Sequence, residues 1–389
     1  MSSVDGRPGI AFLVPSLAIG GAERQLLALA AGLDTHEWRI LVVQASQADT
    51  EHVSEASDST GLVLQQASLL AQARQLREVL ERERILLLHA YLLSAQFRGL
   101  LVRATGWRGR LVVGVRDALP LWYVRNLSGV VATAAVFGAS WWVDRYVFNS
   151  QRGARAKAPL VPRAKRTVIC NGIDATDFRP DPAARARLRA LIGIDVASPV
   201  IGIVANVTAY KDYPTFVEAA RLLSVTRPDV HFAAVGDDRG ALANEVRAMV
   251  ARAGLSQRLH FLGPQANVER LIPGFDIACS SSATEAFPNA VGESMACGVP
   301  CVVTDVGDAA LMIGESGISV PPRNPERLAA GLAESLAWTP ADRAMRGESA
   351  RQRIIEQFSV DRMVAAHDEL YRSLLPARAR REPSIPLPS

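Results

Sequence analysis

Two carboxylates and one lysine are the groups in this chain whose types and spacing could do chemistry. Glu285 and Glu293 lie eight positions apart in TEAFPNAVGESMACG, and Lys211 falls late in the segment NVTAYKDYP. Between the acids, Pro288 suits the opening residues of a helix and Asn289 can act near its cap. The backbone N–H groups of Ala290, Val291 and Gly292 would then point back toward the loop. Amides at a helix mouth form an anion site, and a lysine nearby adds a mobile point charge suited to a pyrophosphate. For a sugar nucleotide the labour would divide: pyrophosphate at the helix mouth, Glu293 accepting from a ribose diol, Glu285 reaching the sugar. Spacing alone does not choose between this and a solvated loop acid, a favourable acid in the first helical turn and a solvent lysine.

These residues need a scaffold, and the surrounding pattern supplies one. A short buried strand, Asp276 to Ser281, precedes the acids; Gly298 stops the helix; a second strand runs from Pro300 to Thr304. Upstream come a charged helix from Ala183 to Ile192, a strand from Val200 to Ala205, a helix entered at Pro214, and strands at His231 to Val235 and His260 to Leu262. Downstream, helices are expected at Pro325 to Ala337, Ala341 to Phe358 and Asp361 to Leu375, the last amphipathic through Met363, Val364, His367, Leu370 and Tyr371.

The first half of the chain repeats the alternation. A strand from Gly9 to Pro15 leads through Gly20 and Gly21 into a helix, Ala22 to Leu33, with Glu23 in its first turn; the pattern GxGxxG is absent. Further strands are expected at Arg39 to Gln44, near Leu62 to Leu64, and at Ile85 to Leu88, Leu111 to Val115, Tyr146 to Phe148 and Val168 to Ile173. Alternation of this kind predicts α/β architecture, parallel sheets with helices on both faces. Ligands gather at the carboxyl ends of such strands, which singles out His89 after ILLL, Arg116 and Asp117 after VVGV, and Asn149 with Ser150. A histidine ending a strand is equally at home as a hydrogen-bonded structural residue. Asn171, Gly172, Pro180 and Pro182 read as hinge chemistry.

Composition bounds the function. With 389 residues, 49% of them hydrophobic and 21% charged, the chain is long enough for two globular domains. The formal charge of +4 permits an anionic ligand or membrane surface. The basic residues are scattered, and Arg74 to Arg84 alternate with Glu78, Glu81 and Glu83, so no nucleic-acid partner is expected. The first apolar run breaks at Pro15 and reads as a core strand, with no signal peptide. Cys170, Cys279, Cys297 and Cys301 include no CxxC and read as buried residues of a reducing cytoplasm. The stretch Val130 to Val143 is too short to span a bilayer; it is expected to be a buried helix, or with Trp141, Trp142, Trp122 and Tyr123 a surface that touches lipid.

The segment TEAFPNAVGESMACGVPCVVTDVG resembles the Glu-x7-Glu segment of retaining glycosyltransferases of family 4. GGAERQ at Gly20 to Gln25, VICNGIDATDF at Val168 to Phe178 and VANVTAYKDYPTFVEA at Val204 to Ala219 agree in order and spacing. The resemblance implies the GT-B fold: two Rossmann-like doubly wound domains facing a cleft, with an N-terminal acceptor domain at 1–175 and a C-terminal nucleotide-sugar domain at 176–360. A crossover helix at 361–376 and a disordered tail at 377–389 would follow. It further implies metal-independent transfer, with retention, from a UDP- or GDP-linked sugar to a hydroxyl of a glycan or lipid-linked acceptor. No cofactor is expected, since the nucleotide sugar is a substrate, and the place of work would be the cytoplasm, peripherally on the inner membrane face.

Residue by residue, the resemblance assigns Glu285 and Lys211 to catalysis. It assigns Glu293, Phe287, Asn289, Ala290 and Val291 to the donor, places Gly20 and Gly21 near its phosphates, and loosely gives the base to Gly263 to Gln265. His89, Arg116 and Asp117 become acceptor-side candidates. Two departures stand out. Relatives commonly carry an arginine a few residues before the lysine, where this chain has Asn206, Val207 and Thr208; Asn206 or Thr208 would substitute as a neutral donor. Many carry a histidine where this chain has Arg116 or Asp117. Those departures motivate one alternative, a non-catalytic sugar-nucleotide-binding subunit of a transferase complex; the alternative enzyme is a GT-B epimerase.

Overall fold

The computed structural model describes residues 7–17, 20–45, 60–65, 68–116 and 127–376. Asp117, Trp122, Tyr123 and the segment 377–389 therefore lie outside the described residues. The chain divides into two compact units, one comprising everything up to Gly172 together with the segment from Val360 onward, the other Ile173–Ser359.

The first unit runs β1 (Gly9–Val14), α1 (Gly21–Gly32), β2 (Arg39–Gln44), β3 (Thr60–Val63), α2 (Leu69–Arg82), β4 (Ile85–Tyr91), α3 (Leu93–Ala104) and β5 (Arg110–Val115). It continues through α4 (Leu127–Gly138), β6 (Arg145–Phe148), α5 (Gln151–Ala156) and β7 (Arg166–Val168). Its strands form one parallel sheet in the order β3-β2-β1-β4-β5-β6-β7. Every residue of β1 is buried, as both-face coverage of a parallel sheet requires. The order reverses between β1 and β4, which puts a switch-point crevice at their carboxyl ends.

The second unit contains α6 (Ala184–Ile192), β8 (Val200–Val204), α7 (Tyr213–Thr226), β9 (His231–Val235), α8 (Ala241–Arg252), β10 (Leu259–Phe261) and β11 (Ile277–Ser280). After these come α9 (Asn289–Ala296), β12 (Cys301–Thr304), α10 (Ala309–Ile313), β13 (Ile318–Val320), α11 (Pro325–Ala337) and α12 (Pro340–Gln357). Its parallel sheet has the order β10-β9-β8-β11-β12-β13, with the reversal between β8 and β11. The final helix, α13 (Val360–Leu374), packs within the first unit against α1, burying Met363, His367, Leu370 and Tyr371.

Two expectations are corrected. The strand anticipated at Val168 to Ile173 is β7, already over by Val168. Gly172 cannot continue a ladder, because Gln25 captures its backbone twice: Nε2 donates to the Gly172 carbonyl and the Gly172 N–H donates to Oε1, each at 2.8 Å. The apolar stretch after Val130 is buried on one face only: Val136, Phe137 and Val143 join the core, whereas Val130, Val131, Trp141 and Trp142 are exposed. Strand β13 and helix α10, which no sequence pattern announced, are too short for periodicity to reveal.

Candidate active site

At the switch point of the second unit, three loops are tied together by backbone and hydroxyl groups. The loop after β8 is pinned to the loop after β9: the Val207 N–H donates to the Asp237 carbonyl and the Asp237 N–H to Asn206 Oδ1, both at 2.8 Å. The next turn, Ala209–Lys211, is pinned to the loop after β11 by the Ala283 N–H donating to the Tyr210 carbonyl at 2.8 Å. Ser281 Oγ donates to the Lys211 carbonyl at 2.9 Å. Asp212, in the left-handed region at φ 49, then caps α7, accepting from Thr215 Oγ1 at 2.7 Å, with Pro214 in the first turn.

The result is that Lys211 Nζ forms an ion pair with Glu285 Oε1. Ser282 Oγ donates to the same carboxylate oxygen at 2.7 Å, and Ser282 is itself held by Thr304 Oγ1 donating to its carbonyl at 2.6 Å. Lysine and acid are 23% and 12% exposed, enough for a ligand to reach either. From the other side, Gly307 at φ +54 presses on this loop: an added Cβ would lie 2.4 Å from the Glu285 carbonyl oxygen and 2.5 Å from that of Ala286. A cavity of about 30 Å³ lies among Lys211, Ser282, Glu285, Pro288 and Val291, room for water beneath the pair. A larger cavity of about 500 Å³, lined by Arg7, Trp38, Arg39 and Arg82 of the first unit, touches none of the candidate residues.

Helix α9 opens at Asn289 as expected, but Pro288 takes the cap position and no side chain caps it. The Val291 and Gly292 N–H groups close on the Pro288 carbonyl at 3.0 and 3.3 Å, so these two are not open donors; the Ala290 amide stands nearer the mouth of the helix. Glu293 is not in the first turn: it is the fifth residue of α9 and is buried. Phe287 turns its ring into the core against Phe358, 5.7 Å between centroids, leaving only its backbone to face a ligand. Asn206 spends its Oδ1 on Asp237, whereas Thr208 Oγ1 is buried with no partner. Gly263, at φ +68, accepts from the Gly236 N–H at 3.0 Å, and Gln265 Nε2 donates to the Leu262 carbonyl at 2.6 Å.

The remaining candidates belong to the first unit. Gly20 stands in extended backbone as the N-cap of α1, and Gly21 is its first residue. An added Cβ at Gly20 would meet the Glu23 carboxylate, so the site is shaped by that acid, whose pKa burial raises. His89 is fully buried, its Nδ1 2.6 Å from Tyr371 Oη, and burial together with His367 and Arg116 holds its pKa well below 6.5. Arg116 follows β5, donating Nη1 to Asn171 Oδ1 at 2.9 Å and lying 4.5 Å above the Tyr91 ring. Ser282, Thr304, Tyr91, His367 and Tyr371 escaped sequence reasoning as site residues. The signal for Ser282 was its position three before Glu285; for the α13 pair it was the spacing of His367 and Tyr371 on one helix face.

Residues 19–177 match the family model described as Glycosyltransferase Family 4 and residues 198–337 that described as Glycosyl transferases group 1. The chain belongs to the family 4 glycosyltransferases, with the GT-B fold. Among its relatives, D-inositol 3-phosphate glycosyltransferase of Mycolicibacterium gilvum is 29% identical over 207 residues, covering 51% of this chain and 46% of that protein. Lipopolysaccharide core biosynthesis mannosyltransferase LpsB of Rhizobium meliloti is 33% identical over 144 residues, 36% of this chain and 41% of that protein. The matches thus span about half or less of these curated relatives. A crystal structure of Anabaena HepE in complex with UDP and glucose superposes with a TM-score of 0.81 over 94% of this chain and 99% of that one, at 23% identity, a likeness of fold.

Proposed function

We propose that the chain is a retaining glycosyltransferase that moves a sugar from a nucleoside diphosphate sugar to a hydroxyl of a glycan or lipid-linked acceptor without a metal cofactor. The observation that carries this reading is the Lys211–Glu285 pair, assembled at the carboxyl ends of β8 and β11 beside the mouth of α9. A donor entering here exchanges that contact for two others: pyrophosphate to Lys211 and to the Ala290 amide at the helix mouth, sugar to Glu285. Charge develops on the leaving pyrophosphate in the transition state, where a preorganised cation and helix amides act most strongly. Glu285 orients the sugar and supports positive charge at its anomeric carbon, and Glu293 holds the ribose. The Thr208 hydroxyl, unpartnered in the same loop, stands in as the neutral donor where relatives have an arginine.

HepE's UDP and glucose support a UDP-linked donor. The named activity of LpsB supports a lipid-linked acceptor, as does the exposed Trp141–Trp142 pair, an amphipathic surface suited to the peripheral face of a membrane. Among the described residues no helix is long and apolar enough to cross a membrane.

The test is nucleoside diphosphate release from a panel of UDP-, GDP- and ADP-sugars with EDTA present, wild type beside Glu285→Ala, with and without lipid extract as acceptor source. Release from one donor that is lost in the variant is expected. Nucleotide binding with no release under any condition would replace the enzyme with a donor-binding subunit.

A further inference from the structure

The cavity of about 500 Å³ in the first unit lies at the amino ends of β1, β2 and β4, the opposite end of that sheet from its switch-point crevice. Its volume falls in the range of small-molecule sites. The inner wall is apolar: Leu41 of β2, Leu62 of β3, Val79 of α2 and Ile85 of β4 line it, and all four belong to the hydrophobic core or pack against it. The rim is cationic. Arg7 precedes β1, Arg39 opens β2 and Arg82 ends α2. Among the described residues lining the cavity the one carboxylate is Glu83, and it meets Arg82 Nε at 2.9 Å in an exposed pair.

The way Arg39 is held decides what the cavity can take. Arg84, in the left-handed region at φ 49, bends the chain from α2 into β4 and leaves the Glu83 carbonyl, one of the orphan carbonyls of the helix end, to Arg39 Nη2. That partner is neutral. Among the described residues Arg39 has no carboxylate to pair with; Nη1 donates to nothing, and Nε is buried without an acceptor. A half-buried guanidinium beside an apolar wall has given up hydration without gaining an ion pair. An oxyanion bound there supplies the missing charge-assisted hydrogen bonds, and an apolar body attached to it covers the wall. Inorganic phosphate would satisfy only the rim, and a neutral alcohol only the wall.

We propose that this cavity is a second ligand site, which binds a small amphipathic oxyanion: an aliphatic carboxylate or phosphate monoester whose head pairs with Arg39 and whose chain lies on Leu41, Leu62, Val79 and Ile85. Lys211 and Glu285 belong to the other unit, so the site stands whether or not the chain transfers a sugar. Arginine suits the head group in either form, because its planar fork matches carboxylate and phosphate alike and stays charged at every pH.

The test reads binding and no turnover. The full chain is titrated calorimetrically with octanoate, hexanoate, octyl phosphate, octanol and inorganic phosphate, in wild type, Arg39→Gln and Arg39→Lys, each checked for folding by its thermal melt. Saturable binding of octanoate or octyl phosphate is expected, and the tighter of the two names the head group. Hexanoate should bind on the order of tenfold more weakly than octanoate, the value of two methylenes on an apolar wall. Octanol and inorganic phosphate, each lacking half of the ligand, should bind weaker still. Arg39→Gln should weaken the octyl anions by on the order of tenfold or more, and Arg39→Lys, which keeps the charge without the fork, by less. No saturable binding of either octyl anion, octanol binding as tightly as octanoate, equal affinity in wild type and Arg39→Gln, or displacement of octanoate by UDP each overturns the proposal. The comparison of octanoate with octanol needs no variant, so it decides even where Arg39→Gln fails to fold.

Discussion

Lys211 and Glu285 stand 74 residues apart in the chain and meet as an ion pair, the lysine from the loop after β8 and the acid from the loop after β11. Neighbouring parallel strands bring their carboxyl-end loops side by side, and the reversal of strand order between β8 and β11 opens the space into which both side chains reach. In the proposed reaction the lysine faces the leaving pyrophosphate. Lys211→Ala should lower kcat by on the order of 10²-fold, with a smaller change in donor affinity. Near-normal turnover in single-turnover assays with saturating donor would remove Lys211 from the mechanism.

Ser282 works through the acid. Its hydroxyl donates to Glu285 Oε1 while its backbone is held by Thr304, so Ser282→Ala leaves the carboxylate in place with one fewer restraint. The expected cost in stability is about 1 kcal/mol, whereas kcat should fall several-fold with the donor KM little changed. A KM effect without a kcat effect would mean that Ser282 serves binding and not the orientation of Glu285.

Gly307 carries a backbone requirement that no other residue meets. Its φ of +54 disfavours any side chain, and a Cβ there would enter the carbonyl oxygens of Glu285 and Ala286. Gly307→Ala should destabilise the second unit by about 1–3 kcal/mol and shift Glu285. Denaturant unfolding and donor release measure the two effects separately; an unchanged midpoint would show that the loop yields at little cost.

Much of the scaffold was legible because its causes are local. The apolar run His231–Val235 and the helix Pro325–Ala337, with Pro325 at its start and the Asn324 side chain accepting from the Arg327 N–H, announce themselves by composition and cap. What stayed hidden depends on distant partners. The end of β7 is decided by Gln25, 147 positions before Gly172, and the state of His89 by Tyr371, 282 positions later. The early amides of α9 were legible as a mouth, but not the closure of Val291 and Gly292 onto Pro288, which depends on how tightly the first turn winds. The Lys211–Glu285 contact was legible only as two residues expected to serve one ligand; that they bind each other is a property of the sheet order.

The exposed pair Trp141 and Trp142, edge to face at 6.3 Å, predicts lipid contact. Trp141, 69% exposed, has the larger surface to insert. Co-sedimentation with vesicles of mixed neutral and anionic lipid should show binding that Trp141→Ala weakens several-fold. Binding that is absent, or that the substitution leaves intact, would return the pair to an ordinary surface.

The buried histidines give folding a pH dependence whose sign is fixed by their surroundings. Burial holds His89 well below 6.5 and, with Arg116 adding to the effect, His367 down to about 3. Both are neutral in the folded chain and charge on unfolding, so the unfolded state binds more protons below the ordinary histidine value. Stability is therefore full above about pH 6.5 and falls as the pH drops toward the folded-state values. His367 should cost about 2 kcal/mol by pH 5, at 1.4 kcal/mol per unit, and His89 acts in the same direction. His367→Gln removes one titrating group, so although the variant is weaker near neutrality, its stability should decline less steeply between pH 7 and 5. Parallel slopes for variant and wild type in urea unfolding across that range would mean that His367 is already protonated in the folded chain, which its bond to the Met363 carbonyl permits but its burial opposes.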